Sequence, residues 1–84
     1  MTEIVSFTLG GRNYCIREND VSGWKLIYCD TGIVLILFGY TVTEGTHSIS
    51  DVHIGDKCFS DTSAVVTSVG NDTKIIIVRS QFKP

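Results

Sequence analysis

Charge is scarce in this chain. Only 19% of its 84 residues are Asp, Glu, Lys or Arg, against 43% hydrophobic ones. Surface dominates so small a domain, so some apolar area has to be covered by something other than water. The basic residues Arg12, Arg17, Lys25, Lys57, Lys74, Arg79 and Lys83 are scattered, and the net charge is −2. Nucleic-acid binding draws on a concentrated basic stripe, which this distribution does not supply, so no nucleic-acid partner is expected.

Paired cysteines are missing as well. The three present, Cys15, Cys29 and Cys58, are odd in number and form no CxxC spacing. That is no disulfide framework, and the expectation is reduced, metal-free thiols acting as small hydrophobes. The opening MTEIVSFTLGG has no charged n-region and no long apolar stretch, as a signal peptide would. The longest apolar run, Ile33 to Phe38, is far too short for a membrane-spanning helix. A cytoplasmic protein without a membrane partner is expected. Sustained helical periodicity, repeats and low-complexity segments are also lacking. At most one short helical turn is expected, near residues 18–23 or 43–50.

What is present is alternation. Glu3 to Leu9 alternates, Gly10-Gly11 follows, and Arg12 to Arg17 alternates again. A Gly-Gly loop suits the tight turns of hairpins, since both residues tolerate positive φ. The register then pairs Leu9 with Arg12, Thr8 with Asn13, Phe7 with Tyr14, Ser6 with Cys15, Val5 with Ile16 and Ile4 with Arg17. Ser6 and Cys15 are expected on the outward side. A one-residue slip would turn the apolar set toward water.

A second hairpin is expected over Trp24–Cys29 and Ile33–Val42. Asp30-Thr31-Gly32 is read as a three-residue loop with Gly32 in a bulge at positive φ and Asp30 capping its own turn. In that register Cys29 faces Ile33, Ile27 faces Leu35 and Trp24 faces Phe38. Neither face of this hairpin is polar, as in strands covered on both sides. Gly39 reads as a bulge or a bend at a barrel corner. Thr43 to Ser50 reads as a connection and Asp51 to Ile54 as a short strand closed by Gly55-Asp56. Ala64–Val69 and Thr73–Val78 flank a further hairpin turn. The tail from Ser80 to Pro84 should fray. The fold class is all-β: one domain over residues 1–84, a small antiparallel barrel or compact sandwich of about five to seven short strands. Area scaling gives such a chain a folded surface of about 4,900 Å².

The run LIYCDTGIVL, residues 26 to 35, resembles the signature of retroviral-type aspartic proteases. The resemblance implies a small all-β homodimer, each subunit giving one Asp to a shared dyad in which one carboxyl is acid and its neighbour base. Asp30 would be that residue. The family has Ala or Ser where this chain has Ile33, and it needs a glycine-rich flap that is not found here. The stretch Phe7-x-Leu9-Gly10-Gly11-x-x-Tyr14-x-Ile16 resembles the opening hairpin of CheW-like chemotaxis adaptors, which are non-enzymatic scaffolds of paired small barrels. That likeness ends before residue 24.

Other constellations carry less. His47, Asp51, His53 and Cys58 lie close in sequence and are zinc-compatible in type, but their spacing matches no metal template, and no metal or other cofactor is expected. Asp51 and His53 are expected on one face of a strand. No Ser-His-Asp order, phosphate loop or nucleophile elbow is present. A reactive thiolate wants a neighbouring cationic His or a helix N-terminus, and the sequence shows neither beside a cysteine. Trp24, Tyr28, Phe38 and Tyr40 are read as a core cluster, with an interface patch as the rival reading.

The sequence therefore points to a non-enzymatic protein-interaction or assembly module acting through its central hairpin. The partner is a second copy of the chain, as a homodimer, or another protein. The aromatic face is expected to be the core. The opposite face, with Lys25, Ile27, Ile33, Leu35 and Leu37, is expected to be the interface. Small size and the lack of enzymatic or targeting motifs suit a viral, phage or mobile-element accessory protein. The alternatives are a dimeric aspartic-type hydrolase using Asp30 and a small-ligand-binding β-barrel.

Overall fold

A computed structural model describes residues 3–29, 32–60, 63–78 and 81–82. Among the described residues ten strands form two antiparallel sheets over one core. β1 (Glu3–Leu9) and β2 (Arg12–Arg17) make the first hairpin, and a single 3₁₀ turn, Glu18–Asp20, leads on to β3 (Gly23–Cys29) and β4 (Gly32–Phe38). Then come β5 (Gly45–His47), β6 (Ile49–Ile54), β7 (Lys57–Ser60), β8 (Ala64–Val69), β9 (Asp72–Val78) and β10 (Gln81–Phe82). Sheet I has the order β10-β7-β6-β1-β2 and sheet II the order β3-β4-β9-β8-β5. β5 and β6 are separated only by Ser48 yet belong to different sheets, so the chain turns a corner there. The backbone N–H of Gly10 donates to the Ser48 carbonyl at 3.0 Å and braces that corner.

The first hairpin has the expected register from Val5 to Leu9. Gly10 and Gly11 take φ of +59° and +84°, as a two-residue primed turn requires. Phe7 stacks on Tyr14 with ring centroids 5.2 Å apart. Beyond Val5 the register shifts, and Arg17 pairs with Glu3 instead of Ile4. Ile4 becomes the extra residue of a bulge, so both Ile4 and Val5 are buried. A second bulge lies in β6. Ser6 faces His53 and Thr8 faces Ser50, which leaves Asp51 as an inserted residue at φ +53°. Asp tolerates this left-handed conformation better than most residues.

The second hairpin differs from expectation by one residue. Cys29 pairs with Gly32, Tyr28 with Ile33, Leu26 with Leu35 and Trp24 with Leu37. Only Asp30 and Thr31 lie between the strands, so the connection has two residues and Gly32 is the first residue of β4, at φ +154°. Asp30 and Thr31, and with them the expected Asx cap and the hydrolase reading, lie outside the described residues. β4 stops at Phe38. Gly39 turns at φ +74°, and a Cβ there would lie 2.9 Å from Ser22 Oγ, so the chain bends here instead of running extended to Val42. The third hairpin turns at Gly70-Asn71 and pairs Val69 with Asp72. In the tail, Gln81 and Phe82 pair with Ser60 and Phe59, so this part is a strand where fraying was expected.

The core takes alternate residues from both sheets. Val5, Phe7, Ile16, Val52 and Ile54 come from sheet I, and Ile33, Leu35, Leu37, Val66, Ile75 and Ile77 from sheet II. The accessible surface is 5010 Å², close to the scaling value for a single compact unit of this mass. Thr73 is the one buried polar residue among those described. Its hydroxyl donates to the Tyr40 carbonyl and accepts from the Val42 N–H at 3.1 Å, pinning the segment after Gly39 against β9. No helix among the described residues is long and apolar enough to cross a membrane.

Candidate interaction surface

The one-residue difference in register decides which face of the β3–β4 hairpin is outside. Ile33, Leu35 and Leu37 are fully buried in the domain's own core. They were expected at an interface, and the structure places them where no partner can reach. The reason is loop length. With two loop residues, cross-strand pairing puts Trp24, Leu26 and Tyr28 on the same side as Ile33, Leu35 and Leu37, and that side faces sheet I. Lys25 and Ile27 do lie on the outer face, with Val34, Ile36 and Phe38.

The aromatic expectation is corrected too. Trp24 is 46% exposed and Tyr28 49% exposed, although both point to the core side. β3 is the last strand of its sheet, and only Leu26 of its inward residues packs against the core. Tyr28 reaches toward sheet I instead. Its ring lies 6.4 Å from that of Phe59, Lys57 Nζ donates to its hydroxyl at 3.3 Å, and the same ammonium sits 5.0 Å from its ring centroid. Tyr40 is half-buried, and burial pushes its phenol pKa upward.

The outer face of sheet II is an apolar surface. Ile27 pairs with Val34, Val34 with Ile76 and Ile76 with Val65, so four side chains form a continuous row across β3, β4, β9 and β8. Thr46 of β5 ends the row. Val78 flanks it on one side, and the next row on the other side is mostly polar, with Lys25, Lys74 and Thr67 around Ile36. Ile27, Val65 and Val78 are exposed, at 39%, 36% and 43%. Val34, Ile36 and Ile76 are half-buried by their neighbours in the same sheet. The row is a continuous apolar patch on a small domain, where large exposed patches are uncommon. Sequence reasoning missed Val34, Ile36, Ile76, Val65 and Val78. The run IVLILF is apolar at both parities and so gives no inside–outside signal. Lys25 and Lys74 do give one, since each marks the outer parity of its strand.

The four sheet edges are unequal. β5 and β10 have only three and two residues. β2 carries Arg at both ends and Asn13 next to one of them. Shortness and charge are the usual means of blunting an edge. β3 has neither. It is seven residues long, GWKLIYC, and Lys25 is its single charge. Among the described residues it has a ladder partner on one side only.

The zinc-compatible residues do not converge. His47 Nε2 lies 3.1 Å from the Thr43 carbonyl, and Asp51 sits in its bulge. Only His53 and Cys58 come together. Among the described residues no group of three or more His, Cys, Asp or Glu is arranged to hold a metal ion. The thiols have separate surroundings: Cys15 Sγ donates to Glu3 Oε2 at 2.9 Å, and Cys29 Sγ to the Gly32 carbonyl at 3.2 Å. No protein-family model, curated protein or solved structure matches the chain.

Proposed function

We propose that this protein is a non-enzymatic interaction module that assembles with a second copy of itself through the edge of β3 and the adjoining outer face of sheet II. The observation that carries the reading is the long, sparsely charged edge of β3, with Lys25 its single charge, beside the row Ile27–Val34–Ile76–Val65. The edge between Gly23 and Tyr28 presents backbone donors and acceptors to any extended chain. A second β3, antiparallel across a two-fold axis, satisfies them symmetrically and needs no other protein. It also joins the two apolar rows end to end, so that Ile27 of each copy meets the other. Trp24 and Tyr28, exposed along the same edge, are the residue types favoured as interface anchors. Lys25, on the outer face between Trp24 and Leu26, takes the solvated rim.

Static light scattering over a wide concentration range tests this. The expected result is a mass twice that of the 9.2-kDa chain, falling toward the monomer on dilution. Ile27→Lys should shift the population to monomer with the fold unchanged by circular dichroism. A wild-type mass of a single chain at every concentration would remove self-association.

A further inference from the structure

The outer face of sheet I, away from the proposed interface, carries a row of a different kind. His53 faces Cys58, Ser6 faces His53, and Ser6 faces Cys15. Cys58, His53, Ser6 and Cys15 therefore stand side by side across β7, β6, β1 and β2. All four avoid the core, which takes Val5, Phe7, Ile16, Val52, Ile54 and Phe59 from the same strands.

Within the row the two thiols have opposite partners. Cys15 donates its proton to the Glu3 carboxylate, which favours the neutral thiol and raises its pKa. Cys58 Sγ lies 3.1 Å from His53 Nδ1. With the ring proton on Nε2, Nδ1 is a base placed to receive the thiol proton. Both residues are exposed, so a small reagent can reach the sulfur. The register makes the pair: the two-residue Gly55-Asp56 turn sets Ile54 opposite Lys57 and so His53 opposite Cys58, and the burial of Val52 and Ile54 leaves His53 on the outer face.

We infer that Cys58 is a thiol-modification site, activated by His53, that forms a mixed disulfide with a low-molecular-weight disulfide such as glutathione disulfide. The proton on Sγ passes to Nδ1. The thiolate attacks one sulfur of the reagent, the new S–S bond forms, and the reagent's own S–S bond breaks. The departing thiolate leaves with the bonding pair and takes the proton back from the imidazolium. Cys58 sulfur is oxidised and the released thiol is the reduced product. Cys15, held by a carboxylate, is the slow thiol on the same sheet.

The test uses the full chain, fully reduced, exposed to glutathione disulfide at neutral pH. Timed samples are acid-quenched and the adduct is mapped to each cysteine by mass spectrometry. Adduct should form at Cys58 about fivefold or more faster than at Cys15. His53→Gln keeps a similar shape but cannot accept the proton, and it should bring Cys58 to within about twofold of Cys15. The Cys15 and Cys29 rates should stay as in the wild type, which also reports an intact fold. Equal rates at Cys58 and Cys15 in the wild type would overturn the assignment, with no variant needed. So would a His53→Gln protein that folds and reacts at Cys58 as fast as the wild type.

Discussion

At the residue scale, individual side chains owe their chemistry to which strand stands opposite. Glu3 shows this. The thiol hydrogen bond from Cys15 is the main cause that lowers the carboxyl pKa of Glu3, and it is also the main cause that raises the Cys15 pKa. Cys15 therefore forms its thiolate only at a higher pH than an ordinary cysteine. Glu3→Gln should move the alkylation pH profile of Cys15 downward and speed its reaction at neutral pH; an unchanged profile would show that the hydrogen bond has no hold on the thiol. Thr73 is a second case. It is fully buried and serves both Tyr40 and Val42. Thr73→Val keeps the shape but strands a part-buried carbonyl and a buried N–H, at a cost of about 1–3 kcal/mol. Urea unfolding measures it, and a loss well under that range would mean water replaces the hydroxyl.

At the element scale, hairpins were legible in proportion to how much polarity marked them. The first hairpin has a Gly-Gly turn and alternating polar residues on both strands, so only one register buries Phe7 with Val5 and Ile16. Its bulge at Ile4 was not legible, because Ile4 and Val5 are both apolar and either could be the inward residue. The second hairpin has apolar residues at both parities of β4, so a loop of two or three residues fits the pattern equally, and that single difference reverses the buried face. The consequence can be tested by mutation. Leu35→Ala should cost about 2–5 kcal/mol of folding stability, as large-to-small changes in packed cores do, without an effect on association of the folded chain. Ile27→Lys should do the reverse. Gly39→Ala should destabilise by more than about 1 kcal/mol, because φ is +74° and the added carbon meets Ser22 Oγ. Thermal melts of the three variants separate these effects, and a tolerant Leu35→Ala would place the core elsewhere.

At the scale of the whole molecule, the two outer faces of the sandwich are unlike. Sheet I turns Ser6, Thr8, Cys15, His53 and Cys58 to solvent, and sheet II turns Ile27, Val34, Ile36, Ile76 and Val65 outward. The apolar side chains left outside the core are thus concentrated on the sheet II face, where Lys25 and Lys74 are the charged residues. The all-β class and the tight hairpins could be read from alternation and turn residues. Sheet order could not, because the chain changes sheets within one residue at Ser48 and β1 pairs with β6, far from it in sequence. If β3 is a working edge, amide hydrogen exchange along it depends on protein concentration, and exchange at high and at low concentration shows whether it does. Outward-facing amides between Gly23 and Tyr28 should be protected at high concentration and lose that protection on dilution, while the edge amides of β2 exchange alike at both. Outward β3 amides that exchange at the unprotected rate at every concentration would contradict it.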